Sequence, residues 1–164
     1  MNTLFDIHDH IPSINGTELR FVVLGRPQQC GSKLPMKTKD GRWFVSDSND
    51  QKRLPWMQEV KSVAYAAMRE QGIAKLIDAP VSIEVQFHFK RPQVHFCTGK
   101  NAGVLSKSAP KHHVKSPDLD KLQRCLGDAM TGVVYTDDRL IWSWNASRHW
   151  TTEVERTEVT LRVE

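Results

Sequence analysis

The chain has 164 residues, 23 Lys and Arg against 19 Asp and Glu, a net charge of +4 at neutral pH, and 39% hydrophobic residues. That size encloses one substantial core and falls short of the length at which cores divide, so several domains are excluded. A membrane span and a secreted disulfide scaffold are excluded too: no apolar run approaches roughly 18 residues, the polar start MNTLFDIHDHIPS is unlike a secretory signal, and Cys30, Cys97 and Cys125 are odd in number and scattered.

In chain order, residues 1–18 are expected to be a flexible N-terminal segment, and residues 19–164 one folded domain of a reducing cytosol. LRFVVLG, Leu19 to Gly25, is an apolar run of strand length stopped by Gly25 and Pro27, and reads as a buried strand. The segment to Asp50 reads as a loop, with Gly25, Gly31 and Gly41 as punctuation and Arg26, Lys33, Lys37, Lys39 and Arg42 as basic decoration. Trp56, Val60, Val63, Ala64, Ala67 and Met68 fall at helical spacing, which predicts a core-facing helix from near Pro55 to near Gly72. Val81, Ile83, Val85, Phe87 and Phe89 alternate with polar residues, the clearest strand of the chain.

Residues 90–117 carry Lys90, Arg91, Lys100, Lys107, Lys111 and Lys115 without a single acid, and their Pro and Gly content predicts an irregular excursion. Loops of that length in compact domains are functional or disordered. Leu119, Leu122, Leu126, Ala129 and Met130 then mark a second amphipathic helix closed by Thr131 and Gly132, and strands are predicted around 140–149 and 153–163. The fold class is therefore α+β: a mixed β-sheet packed against two main helices.

Charge is divided along the chain. Residues 1–117 hold 17 Lys and Arg against 10 acids, whereas residues 118–164 hold 6 against 9. A positive surface beside gathered carboxylates suits a polyanion held near a divalent cation. The acids of interest are Asp118, Asp120, Asp137 and Asp138, with no Glu among them. Residues at i and i+2 point about 200° apart in a helix but to one side in extended chain. For Asp118 and Asp120 to serve one ion, Asp118 must precede the regular helix, and Pro117 biases the backbone that way. Helix capping is the first reading of Asp118 taken alone. The Asp137-Asp138 turn, a helix length further on, is expected to fold back to the first helix end, where such like charges are tolerated only around a cation or strong donors. Mg²⁺ takes one or two carboxylates with waters and phosphate, and three convergent aspartates would serve it. Lys121 and Arg124 each offer a cation for the scissile phosphate; the plain alternative for Arg124 is an ion-pair ladder with Asp120 and Asp128 at i±4.

PDLDKLQR, followed by GDAMTGVVYTDD, resembles the signature of RusA-type endodeoxyribonucleases, the Holliday junction resolvases of bacteria and their phages; VLGRPQQCGSK and VSDSNDQKRLPWMQEVKSVAYAAM resemble the N-terminal half of phage members. The resemblance implies a Mg²⁺-dependent homodimer, with Mn²⁺ as a substitute and no organic cofactor, that nicks two opposed strands of a four-way DNA junction in the bacterial cytosol. Carried onto this chain it makes Asp118, Asp120 and Asp138 the metal-binding acids, with Asp137 adjacent, and leaves the phosphate-facing cation to Arg124 or Lys121. The chain departs from the pattern here, with Lys121 where the family has Asn and Arg124 where it has Lys. Lys33 of the GSK stretch matches a basic residue of the phage pattern, and Lys33, Lys107, Lys111 and Lys115 are the candidate DNA contacts. Three alternatives remain: the same chemistry on forks or flaps, a histidine-metal nuclease through His8 and His10 or His112 and His113, and a non-catalytic module stacking bases on Trp142, Trp144 and Trp150.

Overall fold

A computed structural model describes residues 17–164. The expected flexible segment and the His8 and His10 pair thus lie outside the described residues, apart from the last two positions of that segment. Six strands and two helices follow in the order β1 (Glu18–Leu24), β2 (Lys33–Lys37), β3 (Trp43–Asp47), α1 (Asp50–Glu70), β4 (Val81–Lys90), α2 (Leu119–Met130), β5 (Ile141–Thr151) and β6 (Arg156–Val163). The main sheet has the order β1-β6-β4-β5, antiparallel except for the parallel β4–β5 pair; β2 and β3 form a separate antiparallel hairpin.

One face of the sheet is apolar because each strand alternates. Leu19, Phe21 and Val23 of β1, all five apolar residues of β4, and Val159, Leu161 and Val163 of β6 are buried. Against them α1 places Trp56, Val60, Ala64, Ala67 and Met68, and α2 places Leu122, Cys125, Leu126, Ala129 and Met130. This is the expected two-layer α+β domain. The other sheet face is wet and laced with ion pairs, such as Arg162 to Glu18 at 2.9 Å and Arg156 to Glu158 at 2.6 Å.

The structure differs from the sequence expectations at two places before Pro55. Segment 25–50 contains the β2–β3 hairpin, closed by Thr38 donating to the Arg42 carbonyl (2.8 Å) and by Gly41 at φ +87°. Neither strand buries a face, so the alternation that reveals a packed strand is missing. Helix α1 starts at Asp50, with Pro55 inside it. The extra turn is held by ionic contacts: Arg53 pairs with Asp50 and approaches Asp47 at 3.7 Å, and Asp47 accepts from the Asn49 amide at 2.9 Å.

The basic excursion is an ordered loop built on Trp150. The indole donates to the His112 carbonyl (3.1 Å), Arg91 donates to the Pro110 carbonyl (3.0 Å), and the buried His113 ring lies between Phe89 and Trp150 at centroid distances of 4.4 and 4.2 Å. His113 is thereby a packing residue, and Trp144 and Trp150 are partly buried against the core while Trp142 is exposed.

Burial first, then the neighbouring Arg148 and Arg26 charges, hold the pKa of His113 below that of a free histidine. The unfolded chain therefore takes up a proton before the folded one. The contribution of His113 is complete above about pH 6.5 and is lost progressively as pH falls from there to the lower pKa of the folded state. Thermal unfolding followed from pH 7 to pH 5 should show a falling midpoint, and His113→Phe should flatten part of the fall; an unaltered slope in the variant would contradict this packing role.

Candidate active site

Asp118 and Asp120 lie at the start of α2, whose first turn is stitched to two remote segments. Asp118 is the residue before the helix and has extended backbone angles (φ −72°, ψ 141°), while Asp120 lies in the first turn. Arg148 of β5 donates from one guanidinium nitrogen to the carbonyls of Lys115 (2.8 Å) and Pro117 (2.6 Å). The Asp118 amide donates to Gln29 Oε1 at 2.7 Å, and the Cys30 amide donates to the Lys121 carbonyl at 3.2 Å. The loop after β1 therefore lies along the start of α2. Sequence reasoning missed Gln29 and Arg148 because they act across separations of 89 and 31 residues, which leave no local spacing to read.

The Asp118 carboxylate makes no capping bond; it pairs with Lys121 Nζ at 2.8 Å. The Lys121 ammonium, with Arg148 contributing less, lowers the Asp118 pKa, and Asp118 in turn raises that of Lys121. Asp120, Arg124 and Asp128 continue along the exposed edge at four-residue intervals. The ion-pair ladder among them is not formed: among the described residues Arg124 has no carboxylate within 4.0 Å. Arg124 instead lines a polar cleft of about 340 Å³ together with Lys33, Arg53, Asp47 and Asp128, so two of the sequence candidates, Lys33 and Arg124, share one cavity. A second cleft of about 470 Å³, lined by Arg26, Gln29, Lys52, Ser116 and Pro117, flanks the other side of the helix start.

The Asp137-Asp138 turn folds back as expected, but it docks on the second half of α2. Tyr135 donates its hydroxyl to the Gly127 carbonyl at 3.0 Å, and the backbone on either side of Tyr135 is tied to Ile77. Asp137 accepts from the Arg139 amide at 2.9 Å and caps the short 3-10 turn Asp138–Leu140; Asp138 is exposed. Among the described residues no three His, Cys, Asp or Glu side chains are grouped to hold a metal ion. Asp118, Asp120 and Asp138 are thus not grouped as the three convergent aspartates that the sequence led us to expect. Lys107, Lys111 and Lys115 are exposed on the ordered basic loop, with Lys115 nearest the site through its carbonyl bond to Arg148.

Exposed carboxylates at a helix start, bordered by a basic loop and by an Arg124 that has no carboxylate partner among the described residues, are chemistry suited to a phosphate polyanion. A family model places the chain within that class: Endodeoxyribonuclease RusA matches residues 33–162, so the chain belongs to this family of endonucleases that resolve Holliday junctions. A comparison with curated proteins returned no match. No helix among the described residues is long and apolar enough to cross a membrane.

The pairing of Lys121 with Asp118 is open to direct measurement. Removing the ammonium in Lys121→Ala should raise the midpoint of the Asp118 carboxyl towards the ordinary value of about 3.9, followed by carboxyl-carbon NMR. An unmoved midpoint would assign the depression to Arg148.

Proposed function

We propose that the chain is a magnesium-dependent endonuclease that resolves four-way DNA junctions by paired nicks, acting as a homodimer in the bacterial cytosol. The observation that carries this reading is the exposed start of α2, where Asp118 and Asp120 are followed by an Arg124 that has no carboxylate partner among the described residues, in a member of the RusA family. Hard carboxylate oxygens open to solvent fit magnesium, which needs only one or two protein carboxylates because water and substrate phosphate complete its shell. Asp118 and Asp120, at the helix start, are the residues to hold it; Asp138 enters only through the family resemblance, since its turn docks on the second half of α2, and Asp137 is engaged by the Arg139 amide. When bound, the ion supplies a water of lowered pKa and screens the phosphate.

The chain's own residues do the rest. Lys121 pairs with the Asp118 carboxylate, which is ionised at neutral pH, and holds it at the helix start. Arg124, with no competing acid among the described residues, faces the phosphate and offsets the charge that grows on its oxygens in the transition state. Lys33, Lys107, Lys111 and Lys115 neutralise flanking phosphates, which makes binding steeply salt-dependent. Paired nicks need two sites, and a two-fold dimer matches the symmetry of a four-way junction. The three free thiols suit a reducing compartment, and the likeness to phage members in the first half of the chain supports a phage or prophage setting.

The experiment is cleavage of a synthetic four-way junction beside flap and linear duplex, with Mg²⁺ or with EDTA. Symmetric nicks on the junction that need Mg²⁺ are expected, and Asp120→Asn should slow them on the order of a hundredfold, the scale of losing one electrostatic contributor to a transition state. Cutting that persists in EDTA, or that is unchanged in the variant, contradicts the assignment.

A further inference from the structure

The β2–β3 hairpin carries side chains that neither the core nor the α2 edge uses. Both strands are exposed, and Trp43 is 69% exposed, so it contributes little to the fold. Cross-strand register sets Lys33 opposite Asp47, Pro35 opposite Val45 and Lys37 opposite Trp43. Directly opposed residues share a sheet face, so Lys33, Lys37, Val45 and Trp43 lie on one side. The Lys37 ammonium is 5.6 Å from the Trp43 ring centroid. At the hairpin base Lys33 and Val45 line the same cleft as Arg124. The face is therefore a continuation of the α2 edge, leading outward to an aromatic ring with a cation over it.

The hairpin is fixed to the body. The Asp47 carboxylate accepts from the Gly31 amide (2.8 and 3.0 Å) and from the Asn49 amide (2.9 Å), and Ser48 donates to the Ser32 carbonyl (3.1 Å). A Cβ on Gly31 would stand 2.2 Å from Asp47 Oδ1, so this close approach requires glycine. These bonds also turn Asp47 into the body. The acid at the tip, Asp40, is tied to Arg42 at 2.8 Å. Lys33 and Lys37 remain as net positive charge beside an exposed ring, which is complementary to a nucleic-acid strand and repels a second copy of the same basic surface.

We propose that this hairpin face binds the DNA strand leaving the α2 edge, and that Trp43 stacks on a base at the branch point, where the duplex stack is interrupted. Trp43 is then a specificity-determining residue for branched over linear DNA, while Lys33 and Lys37 contact phosphates without regard to sequence. The inference rests on the nuclease reading above for its substrate, yet its test needs no cleavage.

Binding of the full chain to a four-way junction carrying 2-aminopurine at the branch is measured without divalent metal, beside a linear duplex of the same length. Trp43→Ala should weaken junction binding about tenfold, within the range for one base–aromatic stack, and abolish the 2-aminopurine signal. Duplex affinity and the salt slope should stay as in wild type, and Trp43→Phe should restore most of the loss. Lys37→Gln should instead lower the salt slope by about one ion on both substrates. Equal affinity of wild type and Trp43→Ala for the junction overturns the proposal, as does an equal loss on junction and duplex. Conversion of a dimer to a monomer by Trp43→Ala in sedimentation also overturns it, because the face is then covered by a second copy. A junction that is bound in this way but never cut with Mg²⁺ counts against the nuclease reading alone.

Discussion

Two carbonyls and one guanidinium set the geometry on which the site depends. Arg148 holds the backbone oxygens of Lys115 and Pro117, and Gln29 takes the amide of Asp118. Together they keep the chain extended up to Asp118 and let the helix begin at Leu119. Had the helix begun a turn earlier, Asp118 and Asp120 would point to opposite sides, because neighbours two apart in a helix diverge by about 200°. A hydrogen bond from a charged donor is worth about 1.5–3 kcal/mol, enough to hold one turn against the local preference of a solvent-exposed segment.

The sheet order delivers Arg148 to that position. Strand β5 pairs in parallel with the central strand β4, which puts Arg148 opposite Phe87 and Trp150 opposite Phe89. From there the Trp150 cluster pins the acid-free loop, and the Arg148 bond to the Lys115 carbonyl joins the end of that loop to the start of α2. The same edge divides its two cations by role: Lys121 neutralises Asp118, and Arg124 lacks a partner among the described residues and faces the cleft with Lys33.

The elements that bury a face were legible in the sequence. The alternation of β4 and β6 and the Leu122–Leu126–Ala129 stripe of α2 follow from which atoms leave water. The extended Asp118 before a first-turn Asp120 was legible as well, from Pro117 and the two-residue spacing. The hairpin was not, since Leu34, Met36, Trp43 and Val45 all remain exposed and so show no periodic preference. Nor was the level at which the Asp137-Asp138 turn meets α2, which is decided by Tyr135 reaching Gly127 and by its neighbours pairing with Ile77, contacts without a sequence signature. Gln29 and Arg148 were invisible for the same reason. The acids themselves are easy to find in the sequence, and the residues that aim them are not.

The central claim is that Arg148, by holding the carbonyls of Lys115 and Pro117, positions the chain that carries Asp118 and Asp120. It is tested by comparing wild type with Arg148→Ala for three quantities: thermal midpoint, junction affinity without metal, and junction cleavage rate with Mg²⁺. The account predicts a folded variant that binds the junction about as well as wild type yet cleaves it on the order of ten- to a hundredfold more slowly, the scale expected when reacting groups are misplaced by about an ångström. Cleavage at the wild-type rate, or a loss of binding that accounts for the whole effect, would contradict it.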